Sequence, residues 1–266
     1  MLDVEFAQVS DAGRMREHNE DYLGSAVPAT AAEMRSLGWL FALADGVGGQ
    51  EAGEVASRTA VENLLAGFRQ AAPNAPLGDL LTRLVQAANA NVLEAGHNAR
   101  PGGVEMATTL VACALRYDRA VIAHVGDSRC YLIRGGRATA LTRDHTVANE
   151  QLRMGAVAAR DAIGVANRHI LSRSLGSAMA VGVDIGEQQV APGDVLLLCS
   201  DGLYASVTEA DMAGIVSQNA GLDAAAAKLV GLAKTRDGSD NISVQLIRVR
   251  AVERVGMYRG RPYSLR

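Results

Sequence analysis

Two apolar runs, each closed by Asp-Gly, constrain this chain more than any other feature. Trp39-Leu40-Phe41-Ala42-Leu43-Ala44 leads into Asp45-Gly46-Val47-Gly48-Gly49, and Val195-Leu196-Leu197-Leu198-Cys199-Ser200 leads into Asp201-Gly202. Short apolar runs ended this way read as core strands, each delivering one carboxylate to a sheet edge with a tight turn after it. One Asp-Gly alone would be an ordinary turn. Here the pair is joined by Asn19-Glu20-Asp21 near the start and Ser239-Asp240-Asn241 near the end. Four acidic positions beside strand-like sequence point to an all-oxygen metal site.

The 266 residues suffice for one large domain or two small ones, with a substantial core. A hydrophobic content of 48% and a net charge of −3 fit a soluble globular protein and give no sign of a nucleic-acid or membrane surface. No apolar run approaches the roughly 20 residues of a membrane span, and the acidic N-terminus lacks the form of a signal peptide, so a cytoplasmic protein is expected. Cys113, Cys130 and Cys199 are odd in number, widely spaced and set in apolar sequence, as reduced core cysteines are.

Periodicity divides the chain further. Val4–Val9 alternates as a strand, and helical spacing runs over 52–70 and 77–96. Strand-like sequence covers Thr108–Leu115 and Ala120–Val125. Arg129–Ile133 and Ala138–Leu141 flank Gly135-Gly136 as a hairpin. Strands recur at Gly182–Val190, Asp194–Cys199 and Asn241–Arg248, with helices expected over 208–219 and 222–235. Thr208-x-x-Asp211 opens the first of these in the manner of a capping box. Strands grouped with strands and helices with helices favour an α+β fold with antiparallel sheets. The stretch 147–167 reads as a short helix and surface insert, and the tail beyond the last strand as peripheral.

Carboxylates without clustered His or Cys select hard cations, here Mn²⁺ or Mg²⁺. Two such ions can activate a water for in-line attack on phosphorus. Asp45 is the candidate shared ligand, because Gly46 lets the backbone carbonyl approach a metal as well. Asp201 and Asp240 would complete one metal, while Asp21 or Glu20 would hold the other through water. Each acid also has a plain reading: a strand-end turn for Asp45 and Asp201, a surface loop for Asp21 and Asp240. Arg16 suits a phosphomonoester beside such a centre, yet Arg14 is equally placed by spacing. Asp127 is either the first residue of a turn or a further ligand. His145 and His169 are general-acid candidates for which a structural role is favoured. Gly48-Gly49 with Gly53 lacks the Lys-Ser/Thr of a P-loop, and Gly-x-Ser-x-Gly is absent.

The motifs stand in a recognisable order: Ser10-Asp11-x-Gly13-x-x-Arg16-x-x-Asn19-Glu20-Asp21, Asp45-Gly46-Val47-Gly48-Gly49, Ala107-Thr108-Thr109-Leu110, His124-Val125-Gly126-Asp127-Ser128-Arg129, Ser172-Arg173-Ser174-Leu175-Gly176, Ser200-Asp201-Gly202-Leu203 and Ser239-Asp240-Asn241-Ile242-Ser243. Together they resemble the metal-dependent serine/threonine protein phosphatases of the type 2C (PPM) family in its compact bacterial form. The resemblance implies an α-β-β-α sandwich of two antiparallel sheets flanked by helices, with a catalytic domain over 1–250, a flap at about 147–167 and a tail over 251–266. It implies hydrolysis of phosphoserine and phosphothreonine by direct attack of a metal-bridging water, on phosphorylated proteins that are substrates of a bacterial Ser/Thr kinase. Phosphate binding falls on Arg16. The ligands of two Mn²⁺ or Mg²⁺ ions fall on Asp21, Asp45, the Gly46 carbonyl, Asp201 and Asp240, with Glu20 acting through water. Asp127 falls on a third, weaker metal. Val47 stands where many eukaryotic members have a histidine, and Gln50 where some bacterial ones do, which leaves the general acid open. Rival readings are a pseudophosphatase that binds without turnover, which should have lost a ligand, and a regulator of one dedicated partner.

Overall fold

The computed structural model describes residues 1–47, 51–99, 101–154, 170–258 and 261–264. Two antiparallel sheets lie face to face. A five-stranded sheet has the order β1 (Asp3–Asp11), β11 (Ile242–Ala251), β10 (Val195–Cys199), β7 (Arg129–Arg134) and β8 (Arg137–Ala140). A six-stranded sheet has the path β2 (Asp21–Ala26), β3 (Trp39–Val47), β5 (Leu110–Arg116), β6 (Arg119–Val125) and β9 (Asp184–Gln189), with β4 (Ala107–Thr108) paired to the end of β3. Helices α2 (Glu51–Arg69) and α3 (Leu77–Asn98) cover the outer face of the larger sheet, and α6 (Glu209–Gln218) and α7 (Leu222–Arg236) that of the smaller. The short helices α1 (Ala31–Ser36), α4 (Val147–Arg153) and α5 (Asp201–Tyr204) lie between strands in sequence. This is the expected α-β-β-α sandwich.

Three apolar layers follow from side-chain alternation along strands. In β3, Leu40, Ala42 and Ala44 pack on α2 and α3, whereas Trp39, Phe41 and Leu43 enter the layer between the sheets. In β10, Val195, Leu197 and Cys199 face α6 and α7, and Leu196 and Leu198 face inward. Burial on both faces is why these strands are continuous apolar runs. Gln245 crosses the inner layer, its amide donating to Gln8 of its own sheet and to the Gly24 carbonyl of the other.

Most expected elements are present. Gly135 and Gly136 carry the positive φ values, 58° and 75°, that a two-residue hairpin turn requires. Thr208 accepts from the Asp211 amide and donates its own amide to the Asp211 carboxylate, which completes the capping box. Two features differ from expectation. The strand through Asp45 runs on to Val47, because β4 pairs with Gly46 and Val47. After Asp201 the chain enters a helical turn rather than a tight one. Two elements carry little local signal. In β2, Gly24 interrupts the apolar pattern because α2 lies against it; a Cβ there would stand 2.6 Å from Leu65 and 2.9 Å from Val61. The six-residue α1 is short but capped by Thr30. The insert expected at 147–167 begins with α4, and 155–169 lie outside the described residues. Beyond β11 the tail forms a separate two-stranded sheet of β12 (Val255–Tyr258) and β13 (Arg261–Ser264).

Candidate active site

Odd-numbered side chains of β3 point between the sheets, so Asp45 continues the row Trp39, Phe41, Leu43 as the apolar layer opens to solvent. Asp21 is its direct partner in the β2–β3 register and shares that face. Like charges directly opposite one another across an antiparallel pair are destabilising unless a cation lies between them. A cleft of about 550 Å³ opens here, lined among others by Arg16, Glu20, Asp45, Gly46, Asp127, Asp201 and Asp240. Asp21 lies beneath it, buried. The fold therefore gathers every residue proposed for the metal and phosphate site.

Asp45 is pinned through its backbone. Its amide donates to Thr109 Oγ1 (3.0 Å), and its carbonyl accepts from Thr108 Oγ1 (2.8 Å) and the Thr109 amide (2.9 Å). Thr109 Oγ1 also lies 2.6 Å from Ser128 Oγ, which ties Asp45 to the turn at Asp127. Gly126, at φ +101°, makes that turn. Arg129 fastens it to α5: its guanidinium forms two bonds to Asp144 (2.8 and 2.6 Å) and lies 3.5 Å over the Tyr204 ring. Asp201 opens α5 just after β10.

Asn241 holds the opposite wall. Its Oδ1 accepts from the Glu20 amide (2.8 Å), and its Nδ2 donates to the carbonyls of Ala12 (3.1 Å) and His18 (2.9 Å). Gly13, at φ +81°, lets that loop lie on 238–241; a Cβ there would stand 2.2 Å from the Asp240 carbonyl oxygen. Arg16 is thereby brought to Asp240, Nη2 to Oδ2 at 2.8 Å. The geometry separates the two arginines: Arg14 is absent from the cleft lining and its stem lies against Gly238. Gly46 sits where a Cβ would meet the Gly53 carbonyl oxygen at 2.2 Å, so only glycine lets these backbones meet.

The electrostatics are those of a cation site. Burial, then Asp201 and other neighbours, push the Asp127 carboxyl up to about 7. Burial, opposed in part by the neighbouring Ser243 and Ser200 hydroxyls, brings Asp21 to about 7. Asp45 rises well above the carboxylate range through burial and then Asp21, Asp201, Asp127 and Asp240. Glu20 rises through burial. Arg16 is held charged by its hydrogen bond to Asp240. One oxygen of Asp21 accepts from Ser200 Oγ (2.7 Å), while the other, Oδ1, is buried without a hydrogen-bond partner. Among the described lining residues Arg16 alone opposes five carboxylates. An all-oxygen donor set of this charge fits hard divalent cations.

The histidines lie elsewhere. His145 is buried, stacked on His124 at 4.5 Å, and accepts from the Gly126 amide (3.2 Å). None of the described histidines lines the cleft; His169, Gly48, Gly49 and Gln50 fall outside the described residues. His124, His145 and Asp184 form a second compact set of metal-type donors. Their imidazole planes lie only 16° apart in a stack, so the in-plane lone pairs run side by side rather than converge. Arg173 Nη1 already pairs with Asp184 Oδ1 at 3.0 Å. The set is a hydrogen-bonded clamp. Thr108, Thr109, Ser200 and Asn241 stood in the sequence motifs without roles. Their signal is that polar residues sit inside or beside apolar strands, which requires buried partners.

Comparison with known proteins shows the family and the fold. The family model described as "Protein phosphatase 2C" matches residues 15–230. The chain is 36% identical over 259 residues to "Serine/threonine phosphatase stp" of Listeria innocua, covering 96% of this chain and 98% of that protein. A Streptococcus agalactiae serine/threonine phosphatase structure superposes with a TM-score of 0.83 at 29% identity, covering 93% of this chain and 100% of that one. The catalytic domain of the serine threonine protein phosphatase PstP, solved with two manganese ions, gives 0.75 at 31% identity, covering 94% of this chain and 100% of that one.

Proposed function

This chain belongs to the protein phosphatase 2C family, as a metal-dependent protein serine/threonine phosphatase of the bacterial type, and on that premise we propose how its residues divide the work. Asp21, Asp45 with the Gly46 carbonyl, Asp201 and Asp240 would hold two Mn²⁺ or Mg²⁺ ions, Glu20 would act through water, and Asp127 would hold a third, weaker ion. When bound, the ions supply Lewis acidity toward water and phosphoryl oxygens. The observation that carries this assignment is the buried Asp21 carboxylate, whose Oδ1 has no hydrogen-bond partner, on the residue directly opposite Asp45 in the β2–β3 register.

Arg16 binds the phosphoryl oxygens, and Asp240 aligns its guanidinium so that the planar fork meets the phosphate. Thr108 and Thr109 keep Asp45 from shifting as charge moves at phosphorus. The substrates are phosphoserine and phosphothreonine in proteins, and the opposing enzyme is a Ser/Thr kinase. We read 1–250 as the catalytic domain and 251–266 as a tail, in keeping with the separate pairing of β12 and β13. The free thiols of Cys113, Cys130 and Cys199, all buried, support a reducing, cytoplasmic setting. Among the described residues no helix is long and apolar enough to cross a membrane.

The test is hydrolysis of p-nitrophenyl phosphate with Mn²⁺ titrated in and then chelated. Turnover that appears with Mn²⁺ and vanishes on chelation is expected. A folded protein inert at every Mn²⁺ concentration would overturn the reading. Arg16→Ala is expected to raise KM for a phosphopeptide about tenfold, and Arg16→Lys to recover only part of that loss, because a point charge lacks the fork. An unchanged KM in steady-state kinetics would assign Arg16 to Asp240 alone.

A further inference from the structure

The lining of the cleft is chemically mixed. Besides the acids and Arg16 it includes three apolar side chains, Val47, Ile170 and Leu171. Val47 is 42% and Ile170 51% exposed, and none of the three belongs to any of the three apolar layers that hold the fold together. Their backbones are nevertheless fixed. Val47 pairs with Ala107, the Ile170 carbonyl accepts from the Val147 amide at 2.9 Å, and Leu171 bridges Thr146. Apolar side chains held at a cleft rim on rigid backbone, yet not used in the core, are a surface kept for contact.

The groups assigned to hydrolysis are the acids, with the ions they would hold, and Arg16; the three apolar side chains have no part in it. A chain that brings its phosphate to Arg16 enters this same cleft, so the residues on either side of the phosphorylated one come within reach of its apolar lining. We propose that Val47, Ile170 and Leu171 receive an apolar side chain adjacent to the phosphorylated residue, so that this phosphatase selects phosphosites flanked by an apolar residue. The proposal rests on the phosphatase reading above and adds its substrate preference. The occupant is a segment of the phosphoprotein substrate, because these three side chains line the same cleft as Arg16.

The experiment compares matched phosphothreonine peptides carrying Leu, Ala or Glu at the position immediately before or after the phosphothreonine, with the full chain and Mn²⁺. Wild-type kcat/KM is expected to favour Leu over Glu about tenfold at one of the two positions, the size expected from burying most of a leucine side chain. Ile170→Ser is expected to reduce that ratio below about threefold. The readout is a ratio within one enzyme, so a general loss of activity does not imitate the effect, and Val47→Ser serves where Ile170→Ser does not fold. Equal rates on Leu and Glu peptides, or a ratio that survives both substitutions, would overturn the preference while leaving the phosphatase standing. A wild type that hydrolyses neither the peptides nor p-nitrophenyl phosphate would overturn the phosphatase reading itself.

Discussion

Asp45→Asn is expected to lower Mn²⁺-dependent turnover by roughly 10³-fold, about 4 kcal/mol of transition-state stabilisation, and to raise the melting temperature of the metal-free protein. The two effects share one cause. Asp45 faces Asp21 across the strand pair and lies near Asp127, Asp201 and Asp240, so its charge is unfavourable until cations arrive. Asparagine keeps the shape and leaves the backbone bonds to Thr108 and Thr109 intact. It removes the charge that draws the ions in. Steady-state kinetics and thermal melts in chelator check both halves. Activity within tenfold of wild type, or a lower metal-free melting temperature, would contradict the role given to Asp45.

The second large effect is the dependence of metal stabilisation on pH. Asp21 and Asp127 sit at about 7, raised from an ordinary value near 3.8. A carboxyl raised in the folded state contributes stability that is full below its unfolded pKa and is lost as pH rises through the folded one. The metal-free protein should therefore lose this contribution between about pH 4 and pH 7. One such group taken alone spans ~3 pH units, on the order of 4 kcal/mol, and coupling makes the set less than additive. Cations take the place of the protons, so Mn²⁺ should raise the melting temperature strongly at pH 8 and little at pH 5.5, by several degrees of difference. His145, held below its usual range by burial and then by His124, acts in the opposite direction as pH falls. Comparing melts with and without Mn²⁺ at each pH removes that contribution. A Mn²⁺-induced shift equal at the two pH values would sink the assignment.

Much of this was legible in the chain. The continuous apolar runs of β3 and β10, the 3.6-residue spacing of α2 and α3, the Gly135-Gly136 hairpin and the Thr208 capping box each depend on neighbours within a few residues. The ordered motifs named the acids and the family. Less legible were β2, whose pattern Gly24 interrupts for the sake of α2, and the turn of helix at Asp201, where Gly202 packs against the Asn241 backbone.

What the sequence determined by itself was the set of groups: two core strands ending in carboxylates, flanking acids, and cysteines suited to the core. Local periodicity and residue chemistry suffice for that. The arrangement was decided by the tertiary structure. Asp21 opposes Asp45 because of the β2–β3 register. Arg16 rather than Arg14 reaches the cleft because Asn241, more than 200 residues away, fixes the loop before Glu20. Asp127 joins the site because Thr109 and Ser128 bind its turn to Asp45, and His145 is turned away into a stack on His124. Such placements depend on strand register and on contacts between distant segments, which no short window of sequence contains.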